Sequence, residues 1–397
     1  MIDLGSQCLT GVFPASADEP LTRGPLELVK CHGEKCCGLV QLRHSYDPAE
    51  MYGANYGYRS SLNRSMVAHL SEKVAQLRAR FPLAQGDIAL DIGSNDGTLL
   101  SFYPPEITAV GMDPTAAKFR EFYQPHIVVL PEFFSAAAFR AHFGERKAKV
   151  VTSIAMFYDL DDPISFVAQV AEILADDGVW HFEQSYLPAM LAANAYDTIC
   201  HEHVEYYALR QIEWMMERCG LRILSAERND VNGGSFAVTV AKSHSHHRAD
   251  ARAVAAMLDA EARDGMATLE PYGRFRERVM RHRDELRELL ARIVREGGSV
   301  LGYGASTKGN VILQFCGITP TQIPAIAEVN AEKFGRFTPG THIPIISEAD
   351  AHAMKPDFLL VLPWHFRENL IQREAAFLHG GGRMIFPFPQ IEVFSAK

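Results

Sequence analysis

The sequence lacks an apolar run long enough to span a bilayer, and its first residues show no basic stretch followed by an apolar one. We therefore predict a cytoplasmic protein with no membrane partner. The sequence also has no excess of basic residues: acidic residues outnumber them, and the formal net charge is −9 at pH 7. This charge argues against a general nucleic-acid binder. The 397 residues, 47% hydrophobic and 22% charged, are enough for two or three globular domains.

A disulfide framework is not indicated either. The seven cysteines are an odd number, and Cys8, Cys31, Cys36 and Cys37 all lie near the start of the chain. This distribution favours metal binding in a reducing cytoplasm. Cys31 and Cys37, which precede a short predicted strand at 39–42, are the candidate zinc ligands and resemble half of a zinc knuckle. A full site needs a second pair, and no C-x-x-C lies upstream, so an incomplete site is an equal alternative.

The chain also lacks the three glycines of the dinucleotide motif G-x-G-x-x-G. In its place, Asp91-Ile-Gly93-Ser-Asn95-Asp-Gly97 follows an apolar run that predicts a buried strand. Glycine lets backbone approach a ligand closely, and the free N–H groups of a helix predicted to follow would face the site. The next predicted strand, 107–112, ends at Asp113, where a carboxylate suits both hydroxyls of a ribose.

An acid in front of this loop is unfavourable next to a pyrophosphate but favourable next to an ammonium group and a ribose. The pattern therefore predicts S-adenosylmethionine as the cofactor. Phe133 is placed to cover the adenine, with a core role as the equal alternative. An ordinary strand-to-helix turn is the alternative for the loop as a whole. The predicted cofactor-binding residues are Asp91, Gly93, Asn95, Gly97, Asp113, Phe133 and Ser153.

The densest polar cluster spans residues 196–207. His201 and His203 are only two positions apart, whereas a zinc-protease helix needs His-Glu-x-x-His, so metal binding is disfavoured. A histidine beside a carboxylate, as in Glu202-His203, favours proton transfer near neutral pH, with a structural histidine as the alternative. Upstream, Tyr56 and Tyr58 lie in a loop of small residues that suits a cover over a pocket, and a surface turn is the equal alternative.

A second predicted strand–glycine loop–helix unit contains Gly302-Tyr-Gly304-Ala-Ser306-Thr-Lys308. Its lysine and hydroxyl side chains suit phosphates, although the spacing is not that of the P-loop. A glycine turn that packs a strand on a helix is the alternative. Further strands are predicted at 325–329, 358–361 and 383–386. Helices are predicted at 65–80, with Met66, Leu70, Val74 and Leu77 on one stripe, and at 253–296, with a break near Pro271. The fold class predicted from the whole pattern is therefore α/β, with two nucleotide-type folds in one chain.

Taken together, these motifs resemble the sugar C-methyltransferases, which methylate C-3 of nucleotide-linked 4-ketohexoses. The resemblance covers nearly the whole chain. It implies a zinc-type lobe (1–65), a central Rossmann-like methyltransferase domain (66–245) and a C-terminal Rossmann-like domain (246–397) that binds the sugar nucleotide. The family normally has a C-x-x-C upstream of residues 3–5, so the zinc site is expected to be truncated. Asp159 and Cys200 stand where some members have histidine and tyrosine.

The function implied by the resemblance is S-adenosylmethionine-dependent methylation at C-3 of a nucleotide-linked 4-keto-6-deoxyhexose. His203 would be the general base and Glu202 would orient it. Donors to the enolate oxygen would come from His201, Tyr56 or Tyr58. The substrate-binding residues would be Tyr303, Gly304, Ser306 and Lys308. Two alternatives stay open: O- or N-methylation of another small molecule, and sugar-nucleotide binding without catalysis.

Overall fold

The structure, a computed structural model, describes residues 1–51 and 58–396. The start of the chain forms a small antiparallel sheet. Its strands, in spatial order, are β1 (Ile2–Cys8), β2 (Arg23–Lys30), β3 (Val40–Leu42) and β9 (Glu205–Tyr206). The sequence predicted only β3 among them. The register of β1 against β2 shifts around Gly5 (φ +80°), so β1 lacks a clean two-residue period.

The middle of the chain forms a seven-stranded sheet. Its strands, in spatial order, are β10 (Leu221–Asn229), β11 (Ser235–Lys242), β8 (Leu174–Ser185), β7 (Ala148–Ile154), β4 (Ile88–Ile92), β5 (Thr108–Met112) and β6 (Val128–Leu130). Strands β4 to β8 run parallel, and β11 is antiparallel to both of its neighbours. The chain leaves β4 towards β5 on one side and returns to β7 on the other, which places a crevice at the carboxyl ends of β4 and β7.

Helices cover both faces of this sheet, and the last of them leads towards the C-terminal part of the chain. They are α1 (Pro48–Met51), α2 (Arg64–Arg80), α3 (Ala136–Phe143), α4 (Pro163–Ile173), α5 (Leu187–Ala192), α6 (Leu209–Arg218), α7 (Ala251–Arg263) and α8 (Glu270–Arg295). In α2 the predicted stripe of Met66, Leu70, Val74 and Leu77 is buried, as the 3.6-residue period requires.

Two helix predictions need correction. The helix expected directly after Gly97 is a single 3-10 turn, Leu100–Phe102. Pro104 follows it closely and ends it, because proline has no N–H to continue a helix. The break predicted near Pro271 lies earlier, at Gly265 (φ +71°), while Pro271 stands in the first turn of α8, where its missing N–H is tolerated.

The last part of the chain forms a six-stranded sheet. Its strands, in spatial order, are β14 (Ile345–Ser347), β13 (Ile326–Glu328), β12 (Val300–Tyr303), β15 (Phe358–Val361), β16 (Arg383–Phe386) and β17 (Glu392–Phe394), and its helices are α9 (Thr307–Phe315), α10 (Glu348–Ala353), α11 (Arg367–Arg373) and α12 (Ala375–His379). All neighbouring pairs are parallel except β16 and β17. The crevice of this sheet lies beyond β12 and β15.

One hydrophobic core joins the three parts. It includes Leu28 from the first sheet, Tyr196 from the middle of the chain, Phe275 from α8 and Ile312 from α9. Residues 196–198 pack against α9 of the last sheet, and Asp197 accepts a hydrogen bond from Trp364 after β15. The predicted fold class, α/β with two Rossmann-like sheets, is confirmed. None of the helices in the described part of the chain combines the length and the apolar character needed to cross a membrane.

Candidate active site

The loop after β4 turns through left-handed backbone at Gly93, Asn95 and Gly97, with φ of +75°, +52° and +74°. Glycine is required at two of these positions for space as well as for φ. A Cβ at Gly97 would lie 2.7 Å from the ring of Tyr123, and one at Gly93 would lie 3.0 Å from Met156. The loop is therefore a fixed turn at the carboxyl end of the central strand.

Asp113 holds this loop to the end of β5. One oxygen of its carboxylate accepts the backbone N–H of Asn95 (2.8 Å), and the other accepts both the N–H and the hydroxyl of Thr115 (2.6 Å each). The Asn95 side chain accepts from the N–H of Ser60 (3.0 Å) and donates to the carbonyl of Tyr58 (3.0 Å). The segment before α2 is thereby fastened over the loop.

Asp91 lies near the end of β4 and is buried. The hydroxyl of Thr152 donates to its carboxylate over 2.6 Å. Burial raises the pKa of Asp91 to about 7, and the nearby charge of Asp113 adds to the shift. A cation beside this carboxylate would stabilise its charged form. The two carboxylates and the glycine loop therefore fit S-adenosylmethionine, which carries both an ammonium group and a ribose.

The other two predicted cofactor residues differ in position. Phe133 follows β6 at the same edge of the sheet, and 55% of its surface is exposed, so its ring is available to cover a base. Ser153 is fully buried, and its hydroxyl accepts the indole N–H of Trp180 over 2.9 Å. Ser153 therefore packs in the aromatic core of the sheet.

His203 is half-buried beside a small cavity of about 10 Å³, which we name the His203 cavity. The cavity is lined by Tyr158, Ser185, Leu187, Met190, Thr198, His203, Glu205 and Tyr206. Nδ1 of His203 lies 3.0 Å from the carbonyl oxygen of Thr198. Since a carbonyl only accepts, Nδ1 carries the proton and Nε2 is the acceptor. The ring of Tyr158 lies against the imidazole, with centroids 4.2 Å apart.

Burial lowers the pKa of His203 to about 3, and the positive charge of Lys308 lowers it further. The imidazole is therefore neutral at pH 7. The Lys308 ammonium donates to the carbonyl of Asn232 over 3.1 Å, so the lysine reaches from α9 to the central sheet. The structure thus brings together the histidine and the lysine that the sequence predicted in separate domains.

Glu202 points away from the imidazole of its neighbour and towards the first lobe. Its carboxylate accepts the hydroxyl of Thr10 over 3.1 Å, and a Cβ at Gly11 would lie 2.2 Å from Oε1. Burial raises the pKa of Glu202. The carbonyl of Thr198 orients the His203 imidazole. Glu202 connects residues 196–206, which we name the catalytic segment after its predicted role, to the loop after β1.

Two of the three predicted donors, His201 and Tyr58, do not line the His203 cavity. His201 is fully buried, with Nε2 3.5 Å from the carbonyl of Gly24 and its ring edge-on to Tyr46 (4.8 Å). Tyr58 is 48% exposed. Tyr56 lies outside the described residues.

The second glycine loop lies at the crevice of the last sheet. Gly304 has φ +83°, and a Cβ there would lie 2.6 Å from Pro363. The hydroxyl of Ser306 accepts the N–H of Gly309 (3.0 Å) and caps α9. Tyr303 is buried and donates to Glu374 over 2.6 Å, so it belongs to the core of this sheet.

Sequence reasoning did not single out Asp197 and Trp364. The indole N–H of Trp364 donates to the Asp197 carboxylate over 2.7 Å. Asp197 is buried, which raises its pKa, and its other oxygen has no hydrogen-bond partner among the described residues. Asp197 does lie within the polar cluster at 196–207, and membership of that cluster was the only feature of the sequence that could have pointed to it.

Cys31 and Cys37 are the predicted zinc ligands. The thiols of Cys31 and Cys37 lie together, where the backbone N–H of Cys37 lowers the pKa of Cys31 and burial raises that of Cys37. Cys8 lies apart, 3.6 Å from the guanidinium of Arg23. Across residues 1–51 and 58–396, no three His, Cys, Asp or Glu side chains are grouped to hold a metal ion. The residues present do not fit a complete zinc site.

A seven-stranded sheet with one reversed strand, a glycine loop after its central strand and acids on two adjacent strands define an S-adenosylmethionine-dependent methyltransferase. Three family models match the chain in order: “Putative zinc binding domain” at residues 1–52, “Methyltransferase domain” at 66–226 and “C-methyltransferase C-terminal domain” at 230–389. The C-methyltransferase NovU of Streptomyces niveus is 33% identical over 408 residues, which span 100% of this chain and 94% of NovU. The chain therefore belongs to the C-methyltransferase family, as the motifs predicted.

Solved structures with a related fold match less than half of this chain. The mitomycin 7-O-methyltransferase MmcR is 15% identical, covering 46% of this chain and 55% of its own, with a TM-score of 0.36. An O-methyltransferase family protein from Burkholderia thailandensis is 17% identical, covering 48% and 57%, with a TM-score of 0.35.

Proposed function

We propose that this C-methyltransferase transfers the methyl group of S-adenosylmethionine to C-3 of a nucleotide-linked 4-keto-6-deoxyhexose. The observation that carries the proposal is the position of His203. Its Nε2 is a neutral acceptor beside a cavity lined by Tyr158, which follows β7, and Ser185, which ends β8, and the charge of Lys308 acts on its ring. A carbon acid next to a ketone needs such a base before it can attack a methyl group.

In this mechanism the sugar ring lies at the opening of the His203 cavity. Nε2 of His203 removes the C-3 proton, which the neighbouring ketone acidifies. The Nδ1–H bond to Thr198 holds the imidazole in the required tautomer throughout. S-adenosylmethionine supplies an electrophilic methyl group, which the C-3 carbanion attacks. Because both reactants are held in one cleft, proximity and orientation contribute to the rate.

The cavity of about 10 Å³ has room for about one water-sized group, so it suits a single substituent of the substrate, such as a carbonyl oxygen, and not the whole sugar ring. We assign the diphosphate to Lys308 and to the loop of Gly304 and Ser306 at the start of α9. A bound diphosphate would offset the ammonium charge that lowers the pKa of His203. Substrate binding would therefore strengthen the base that acts on it.

The sequence-based domain boundaries carry over into this proposal. Residues 66–245 would hold S-adenosylmethionine through Asp91, Asn95 and Asp113, with Phe133 over the adenine. Residues 246–397 would hold the sugar nucleotide. Residues 1–65 would position the catalytic segment, since Thr10 bonds to Glu202 and β3 pairs with β9.

The test is a mass-spectrometric screen of 4-keto-6-deoxy sugar nucleotides with S-adenosylmethionine, in which we expect a gain of one methyl group. Each ketosugar is paired with its 4-hydroxy analogue. Methylation of the keto form alone supports carbon methylation, and nuclear magnetic resonance locates the new methyl group. Methylation of both forms would favour O-methylation and contradict the proposal. Binding of both ligands without any methyl transfer would favour a non-catalytic role.

A further inference from the structure

Glu205 is a carboxyl group in the wall of the His203 cavity that the mechanism above leaves unused. Its backbone is fixed, because Glu205 pairs with Gln41 of β3. Glu205 is buried, with 7% relative exposure, and lines the same cavity as His203 and Tyr158. Its Oε2 is buried and has no hydrogen-bond partner among the described residues. A buried polar atom without a partner is costly unless a ligand satisfies it.

The surroundings of Glu205 favour a proton on its carboxyl. Burial raises the pKa of Glu205 to about 8, and the like charge of Asp161 contributes. The titratable groups around it, on the segment after β7, the catalytic segment and β9, are Tyr158, Asp159, Asp161, His203, Tyr206 and Tyr207. None of these six is a cation at pH 7, since burial keeps His203 neutral. The side chain is therefore an O–H donor under ordinary conditions.

We propose that Glu205, as a neutral carboxylic acid, donates a hydrogen bond to the ketone oxygen of the acceptor and stabilises the enolate that forms during methyl transfer. The inference rests on the proposed function and adds a catalytic residue to it. Of the donors predicted from the sequence, the two that the structure describes do not line this cavity: His201 faces Gly24, and Tyr58 is exposed.

The step balances without a further reactant. His203 Nε2 takes the C-3 proton, and the electron pair of the broken C–H bond forms the C-3=C-4 double bond while negative charge moves to the C-4 oxygen. The Glu205 O–H group donates to this oxygen without losing its proton. When C-3 attacks the methyl group, the bond from that methyl to the sulfonium sulfur would break and its electron pair would leave on S-adenosylhomocysteine. The C-4 ketone is restored, and His203 later releases its proton to water. A donor aimed at a developing oxyanion typically contributes about 100- to 1,000-fold in rate.

Enolisation is measured separately from methyl transfer as exchange of the C-3 hydrogen in D₂O, with S-adenosylhomocysteine in place of the methyl donor. We expect Glu205→Leu to slow this exchange about 100-fold or more, and Glu205→Gln, which keeps a donor, to stay within about tenfold of wild type. The matched control is Glu213→Gln on α6, another glutamate whose pKa is raised by burial but which does not line the cavity; it should exchange normally.

A pH profile separates this role from a structural one. Wild-type exchange should fall above pH 8 as Glu205 ionises, and this decline should be absent in Glu205→Gln, which does not depend on the folding of the leucine variant. Unchanged exchange in Glu205→Leu, or the same alkaline decline in Glu205→Gln, overturns the inference and leaves the proposed function standing. If wild type neither exchanges nor methylates any ketosugar, the proposed function itself fails, and the inference with it.

Discussion

The indole N–H of Trp364 donates to the carboxylate of Asp197 over 2.7 Å, across 167 residues of chain. Trp364 follows β15 of the last sheet, and Asp197 opens the segment that ends in His203 and Glu205. Gly233, from the central sheet, also lies beside Trp364, since a Cβ there would be 2.9 Å from its ring. This bond therefore links the end of β15 to the segment that carries His203, the proposed base.

We expect Trp364→Phe to lower both stability and turnover. The substitution keeps an aromatic ring but leaves the buried Asp197 carboxylate without its donor, which typically costs about 1–3 kcal/mol. Urea unfolding should report this loss, and kcat should fall while the Kd of S-adenosylmethionine stays unchanged. Trp214→Phe is the matched control, because Trp214 lies on α6 under the side chain of Arg218, away from the cleft. Wild-type kcat in Trp364→Phe would show that the bond does not position the catalytic segment.

His203→Asn should abolish methylation and leave cofactor affinity intact. The amide retains a donor towards Thr198 but has no basic nitrogen for the C-3 proton. Turnover with a ketosugar nucleotide and titration with S-adenosylmethionine measure the two effects separately. His142→Asn, at an exposed histidine of α3, serves as the control. Turnover near the wild-type rate would remove His203 from the mechanism.

The elements predicted correctly are those with a strong local pattern. Strand β4 is a continuous buried apolar run, and α2 carries one apolar stripe. Strand β9 is two residues long and exists only because β3 lies beside it, so no periodicity marks it. The helix expected after Gly97 failed because the prolines that follow limit it to one turn.

The candidate site also has a part that the sequence predicts and a part that it does not. The glycine loop and its acids lie within one strand–loop–strand unit, so their proximity follows from sequence spacing. The meeting of His203 with Lys308 depends on how two sheets pack, and no spacing along the chain reports it. His201 shares the polar motif of His203, yet it points to Gly24, because the fold of residues 200–206 separates the two side chains.

Asp91→Asn should weaken S-adenosylmethionine binding about 10- to 100-fold, since hydrogen bonds to charged groups contribute about 1.5–3 kcal/mol. The wild-type affinity should also depend on pH. Because the pKa of Asp91 is raised to about 7, its carboxyl holds a proton below that pH, and the cofactor's ammonium group prefers the charged form. Affinity should therefore rise between pH 6 and 8 in wild type.

Isothermal titration at both pH values checks this, with Asp259→Asn on the exposed side of α7 as the control. The asparagine variant should lose the pH dependence along with the affinity. An unchanged slope in Asp91→Asn would assign the titration to another group and remove Asp91 from the ammonium site.

Lys308→Met should affect the sugar nucleotide and leave the cofactor untouched. Without the ammonium group the diphosphate loses a charged partner, so KM should rise about 10- to 100-fold. The same change removes a cation that lowers the pKa of His203, so that pKa should increase and the acid limb of kcat/KM should move to higher pH. Lys147→Met, at an exposed lysine that donates to the Glu172 carbonyl, is the control. A raised KM with an unmoved acid limb would mean that Lys308 binds the substrate too far from His203 to influence the base.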